Sequence, residues 1–265
     1  WSDVSCLRFS ALTAISCPGT APAVARAIRG AAEEIHKKAG WFGPLSSNLR
    51  FVVSAMLVIQ EDDPAHFLDE VERIRELFRV VGLRRGSIYE TMAILILRRQ
   101  AGKEPIEKRT VERFQAIYEE MKRHHWWLTG PDDFPMCAIL AGGAESPREI
   151  GDATDGISRA LHERAFCTGD PLQTAANLLF LARIEAKLAA TRFHELAQGF
   201  KESGVAIWRS DYDELAILSF LDHPPRRVID RVLTVRKAVE TLRPKPERSV
   251  TFNLAAAITF LELVK

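Results

Sequence analysis

The sequence predicts an all-α protein built from helical-hairpin repeats of about 40 residues, stacked as an α-solenoid or closed into an α/α toroid. Three observations predict it. Seven segments, each opening on Ser, Thr or Asp and running into an apolar helix, recur at intervals of 42, 40, 42, 41, 40 and 39 residues. Six positions into each lies a mostly small column: Ala11, Val53, Ala93, Pro135, Ala176, Ala216 and Ala255. No convincing run of alternating apolar and polar residues reads as strand.

The segments start at Ser5 (SCLRFSALTAI), Ser47 (SNLRFVVSAMLVI), Ser87 (SIYETMAILIL), Thr129 (TGPDDFPMCAIL), Asp170 (DPLQTAANLLFL), Ser210 (SDYDELAILSFL) and Ser249 (SVTFNLAAAITFL). An oxygen at the N-cap accepts a bond from an orphan backbone N–H of the first turn, so each is read as a helix start. Ser87 with Glu90, and Asp170 with Gln173, have the spacing of capping boxes, and Pro171 suits a first turn. Ile15, Leu57, Leu97, Leu140, Phe180 and Phe220, near the tenth position, are expected in the core. A second helix follows each first one. Phe67, Leu68, Val71, Ile74, Leu77 and Phe78 form one amphipathic stripe, and Val111, Phe114, Ile117, Tyr118 and Met121 another. Turns between segments carry Gly or Pro, as at Gly82, Gly204, Pro244 and Pro246. The expected organisation is about six hairpins and a final helix in one domain, residues 1–265. Because the chain opens on Trp1 rather than Met, with no signal-peptide pattern, truncation at its start is expected.

Composition excludes several function classes. A net charge of +1 offers no field for nucleic acid or an anionic membrane. No apolar run approaches the roughly 18 residues of a membrane helix. Cys6, Cys17, Cys137 and Cys167 are far apart, with no C-x-x-C pair, and there is no H-x-x-x-H. Neither a metal site nor a cofactor is therefore expected, and the chain reads as cytoplasmic with free thiols. Gly142-Gly143 reads as a helix end, since no G-K-[ST] follows to make a phosphate loop. Cys137 reads as an inert core thiol.

Three stretches, LSSNLRFVVSAML from Leu45, IYEEMKRHHWWLTGPDDFP from Ile117 and GDPLQTAANLLFL from Gly169, resemble the bacterial family catalogued as domain of unknown function 4003. The resemblance spans most of the chain. It implies an all-helical protein and supplies no reaction.

The densest chemistry is KRHHWWLTGPDDFP, from Lys122 to Pro135. Its plain reading is a turn: His124 and His125 end a helix, Trp126 and Trp127 fill the turn as Phe166 and Trp208 do later, Thr129 caps and Asp132 is its capping-box partner. Pro135 disagrees, because proline six residues into a helix removes a backbone bond. The helix is then expected to start later, on Asp132 or Asp133, with Pro135 in its first turn and one carboxylate to spare. Arg50, Glu90, Gln173, Asp213, Glu214 and Asn253 fall three or four positions after the other caps, and Ser54 and Asn177 one turn further in. Parallel first helices would gather these into a polar rim. The expected ligand-binding set is Arg50, Ser54, Tyr89, His125, Asp132, Asp133, Gln173, Asn177, Tyr212 and Asp213. The expected role is a binding protein whose partner is a small molecule, a peptide or another protein. The alternative is an enzyme with a pocket inside a toroid, using Asp132 or Asp133 as general base or metal ligand.

Overall fold

In the computed structural model, which describes residues 3–39, 44–83, 87–124 and 129–264, the helical stripes become thirteen α-helices, with no strand among the described residues. No helix there is long and apolar enough to cross a membrane. The four cysteines are free.

The chain falls into two compact units. Residues 1–119 with 129–144 form the first, and residues 120–128 with 145–265 the second. The first holds α1 (Asp3–Thr13), α2 (Ala21–Ala39), α3 (Leu49–Gln60), α4 (Pro64–Val80), α5 (Ser87–Gln100), most of α6 (Lys108–His124) and α7 (Phe134–Ala141). The second holds the end of α6, then α8 (Pro147–His162), α9 (Asp170–Leu181), α10 (Ala186–Glu202), α11 (Tyr212–Leu218), α12 (Pro225–Val239) and α13 (Arg248–Leu263).

Within the second unit α9 packs on α11 and α11 on α13, while α8 packs on α10 and α10 on α12. The odd helices thus form one layer and the even helices another. Two bonds fix the direction of the odd layer. Arg209, in the turn entering α11, donates from Nη2 to Thr168 O in the turn entering α9 (2.7 Å), and Arg248, the first residue of α13, donates to Ala206 O in the turn entering α11 (3.4 Å). Entry ends joined to entry ends make the three helices parallel. Gly169 lies directly beneath the Arg209 guanidinium with φ 131°, a backbone conformation that favours glycine, and a Cβ there would push the guanidinium aside. In the first unit Gln100, at the end of α5, donates to Ala138 O of α7 (2.9 Å), and Arg98 forms a two-bonded pair with Asp62 beyond the end of α3 (2.6 and 2.8 Å).

Most of the small column is where it was expected. Val53, Ala93, Ala176, Ala216 and Ala255 are buried, each at most 2% exposed. Two members are corrected. Ala11 is exposed, and Ile15 is 61% exposed rather than core, because both line an open groove of about 760 Å³ beside α1 and α2 instead of a helix crossing. Pro135 leaves the column too. A 3-10 turn over Pro131–Asp133 delays α7, which puts Pro135 in its first turn and hands the crossing to Ala138, fully buried. The first unit's core beside it is aromatic: Phe134 meets Phe78, Phe114 and Tyr118 edge-on at 6.0, 5.4 and 5.3 Å between centroids.

The capping roles are the larger correction. Helices do start at or within two residues of Ser47, Ser87, Asp170, Ser210 and Ser249. Yet Asn48, Gly169 and Glu247 are the N-caps of α3, α9 and α13, and none makes a side-chain capping bond. Asp170 is already the first helical residue, so its proposed capping box with Gln173 does not form. Glu90 accepts from Arg75 Nε (3.1 Å), and the Ser87 side chain lies outside the described residues. Side-chain caps sit instead on even helices: Asp63 on α4, Ser146 with Glu149 on α8, and Glu185 on α10. Asp170 stands one residue and Ser249 two residues inside the N-cap, past the position from which a side chain caps, whereas Ser47 stands one residue before Asn48 and its Oγ accepts from Leu49 N at 3.4 Å.

Ala176→Leu forces extra methylenes into a closed helix contact and is expected to destabilise by about 1–3 kcal/mol in urea denaturation. An unchanged midpoint would show that α9 does not pack closely at this residue.

Candidate functional site

Of the ten residues predicted for the rim, His125 lies outside the described residues, as do Trp126 and Trp127. Five others belong to the first unit. Arg50 donates to the carbonyls of Ser46 (2.9 Å) and Ser47 (3.1 Å) and lies over the Phe51 ring, so it holds the turn that enters its own helix. Ser54 is fully buried with its Oγ unbonded. Tyr89 is exposed. Asp133 accepts from Gly130 N (2.9 Å), closing the 3-10 turn, while Asp132 is exposed; the capping-box role expected of Asp132 toward Thr129 falls one residue on, to Asp133 and Gly130. Cys137 is a fully buried thiol, pushed well above its ordinary pKa by burial and by the nearby Asp133 charge. It is an inert core residue, as expected.

The structure gathers the other four, Gln173 and Asn177 on α9 and Tyr212 and Asp213 on α11, on two neighbouring helices. Tyr212 is a packing residue: it meets Phe166 and Phe193 edge-on, each at 5.6 Å between centroids, and its phenol pKa is raised, chiefly by burial. Phe166 fills its turn as predicted. Trp208, expected to do the same, is 57% exposed. Its backbone N–H is held by Asp211 Oδ2 (2.8 Å), the arrangement that Gly130 and Asp133 make before α7.

Around α11 lies a set of polar groups that the protein leaves unanswered. Among the described residues Asp213 makes neither hydrogen bond nor ion pair, and burial raises its carboxyl pKa to about 6. Burial raises that of its neighbour Glu214 to about 7, with the Asp213 and Asp211 charges adding to it. Glu214 Oε2 is buried without a partner. So are Asn177 Nδ2 on α9 and Asn253 Oδ1 on α13, the helices on either side. Asn177 is 1% exposed. Such atoms each cost about 1–3 kcal/mol when left unbonded in the interior. The parallel odd layer places Glu214 and Asn253 at one register, each two residues before the small residue of its helix, with Asn177 one residue past Ala176. Glu214 and Asn253 were part of the predicted rim but not of its chosen ten. Nothing in the sequence ranks them above the other rim residues, because a missing partner in space leaves no pattern in the chain. Among the described residues no cluster of three or more His, Cys, Asp or Glu side chains is arranged to hold a metal.

A family model described as "Protein of unknown function (DUF4003)" matches residues 14–263. The chain belongs to the DUF4003 family. The uncharacterised protein YeaA of Bacillus subtilis (strain 168) is 23% identical to the chain over 232 residues, which cover 86% of this chain and 69% of YeaA. No solved structure matches. In this DUF4003 chain the polar set around α11 is therefore read from its own geometry.

Two predictions follow from these positions. Asp133→Ala removes the bond that closes the turn before α7 and is expected to cost about 0.5–2 kcal/mol in urea denaturation, whereas Asp132→Ala costs almost nothing. Equal losses would show that Asp133 has no special capping role. The second concerns pH. A carboxyl whose folded pKa is raised contributes stability fully present below its unfolded pKa, near 4, and lost as pH climbs through the folded value. For Asp213 and Glu214 the loss spans pH 4 to about 7. Glu214→Gln is expected to stabilise by about 1–3 kcal/mol at pH 8 and hardly at all at pH 4. A pH-independent effect would contradict the raised carboxyl.

Proposed function

We propose that this DUF4003 chain is a helical-hairpin repeat protein, of the solenoid or α/α-toroid kind, that binds a ligand through polar side chains of its odd helices α9, α11 and α13. One observation carries the reading: Glu214 Oε2, a dehydrated carboxylate oxygen with no counter-charge, flanked on α9 and α13 by the equally unbonded Asn177 Nδ2 and Asn253 Oδ1. Two acceptors and a donor call for a ligand with the complementary set. An ammonium group answers Glu214 and Asn253, and a carbonyl beside it answers Asn177. An amino-acid amide or the N-terminus of a peptide has both. A near-neutral net charge leaves nucleic acid and membrane out of the proposal.

The same pair favours a second reading. Carboxyls at about 6 and 7 are poised for general acid–base work near neutrality. This enzyme reading assigns the chemistry to Asp213 and Glu214 rather than to Asp132 and Asp133, since the turn before α7 occupies Asp133 and Asp132 is solvated.

Leucinamide at pH 7 tests the binding reading, with N-acetyl-leucinamide as the uncharged control. At a hundredfold excess over Kd, binding to the native state adds about 2.7 kcal/mol. That corresponds to a rise of about 5–10 °C in Tm for a chain of this size. Glu214→Gln is expected to abolish the rise. No rise with leucinamide, or an equal rise with the acetylated compound, would sink the proposal.

A further inference from the structure

Trp208, Ser210, Arg236, Arg248 and Ser249 line a cavity of about 240 Å³ at the entries of α11 and α13. None of Asn177, Asp213, Glu214 or Asn253 lines it, so it is a second site on the same two helices. We propose that this cavity binds a small oxyanion, a carboxylate or a phosphate monoester, carried on a flat apolar group.

The charges favour an anion. Among the described residues Arg248 has no carboxylate partner: its one hydrogen bond there is the long one to Ala206 O (3.4 Å), and its guanidinium lies over the Trp208 ring, 5.6 Å from the centroid. Arg236 gives one N–H to Glu240 (3.1 Å) and keeps others free for a ligand. The acid in the lining, Asp211, is already occupied: Oδ2 accepts from Trp208 N (2.8 Å) and Oδ1 from Ser210 Oγ (3.4 Å). Its negative charge remains, but the turn takes up its acceptor oxygens, it holds Trp208 and Ser210 in place, and Arg236 and Arg248 outnumber it in the lining.

The backbone adds donors. α13 is sixteen residues long, and its N-cap, Glu247, makes no side-chain capping bond. The first helical N–H to find a carbonyl is that of Thr251, so those of Arg248, Ser249 and Val250 have none within the helix. Two of these residues line the cavity. Guanidinium, hydroxyl and open N–H groups together make an oxyanion receptor. Trp208 completes it. A large indole exposed beside the Arg248 guanidinium offers a flat face to the body of the ligand, with Arg248 already fixed against that ring. The volume holds an acid group with part of one ring, which limits the ligand to a small molecule.

The test follows the Trp208 indole N–H by nuclear magnetic resonance, assigned with Trp208→Phe. The probes are phenyl phosphate, benzoate, inorganic phosphate and the neutral control benzyl alcohol. Phenyl phosphate or benzoate is expected to shift the Trp208 signal saturably below about 10 mM. Whichever shifts it at lower concentration identifies the acid, and a saturable response to inorganic phosphate alone would refute the flat apolar group. Arg248→Gln is expected to weaken binding roughly tenfold to a hundredfold, as loss of a charge-assisted bond requires, and Arg248→Lys to weaken it less. Arg226→Gln, a solvated charge on α12, should leave it unchanged. Amide spectra of the variants establish that they fold. A saturable response to benzyl alcohol of equal strength, equal weakening in Arg226→Gln, or no saturable shift of Trp208 by any acid would overturn the proposal. Because leucinamide is read at Glu214 and these acids at Trp208, the two sites fail or stand separately.

Discussion

Everything described for the odd helices depends on how closely they approach at one small residue each. Alanine at a crossing lets two backbones come nearer than leucine would, and the neighbouring positions are then drawn into the contact whatever their polarity. Ala93, Ala138, Ala176, Ala216 and Ala255 are all buried to 2% exposure or less. Ahead of four of them, by two or three positions, stand polar residues: Glu90 and Thr91, Gln173 and Thr174, Asp213 and Glu214, and Asn253; ahead of Ala138 stand Pro135 and Met136. Tight packing thus takes polar groups out of water, and the protein must then answer each of them or leave it bare.

The two units answer differently. Ahead of α5, Arg75 on α4 bonds Glu90 (3.1 Å) and Thr91 (2.8 Å), and Asp62 holds the buried Arg98. These groups are structural: removing one partner would strand the other. Arg75 stands fifteen positions before Glu90. Fifteen positions before Asp213 stands Gln198, whose amide is bonded to Glu202 instead (3.0 Å). Asp213 therefore meets no cation, and its carboxyl and that of Glu214 respond by holding their protons to higher pH. The same register that builds a salt bridge in one unit leaves an unanswered pair in the other, which is the contrast that separates a scaffold from a candidate site.

How much of this was legible follows from which interactions are periodic. Helix content, the starts of the odd helices and five of the seven small residues were readable, because apolar spacing and small-residue crossings repeat with the chain. Caps were misread on α9, α11 and α13. A Ser or Asp near a helix start is the same letter at the N-cap or one residue inside, and only backbone geometry separates the two. At Pro135 the sequence carried its own correction: a proline cannot sit at a crossing, so the entry had to slip, and the slip moved the crossing to Ala138. The polar rim was legible as a list but not as a ranking. KRHHWWLTGPDDFP drew attention by density of chemistry, yet Asp133 is held by Gly130 (2.9 Å). Glu214 stood out only once its partners were seen to be missing, and absence of a partner in space has no sequence signature.

Asp133 and Asp211 show what such a device can be put to. Each is the third residue of a 3-10 turn and accepts the N–H three residues back, Gly130 at 2.9 Å and Trp208 at 2.8 Å. In both, one carboxylate fixes the delayed entry of a short helix. Before α7 the residue held is a glycine, and the side chain that follows, Phe134, goes into an aromatic core. Before α11 the residue held is a tryptophan. Fixing its backbone turns the indole outward, against Arg248, where a buried turn would have absorbed it as it absorbs Phe166. An exposed indole contributes little to folding and leaves apolar surface in water at a cost of about 25 cal/mol per Å². That cost falls when a flat apolar group covers the ring. The turn chemistry at Asp211, which alone would be a matter of stability, therefore presents a surface whose free energy is lowered by a partner.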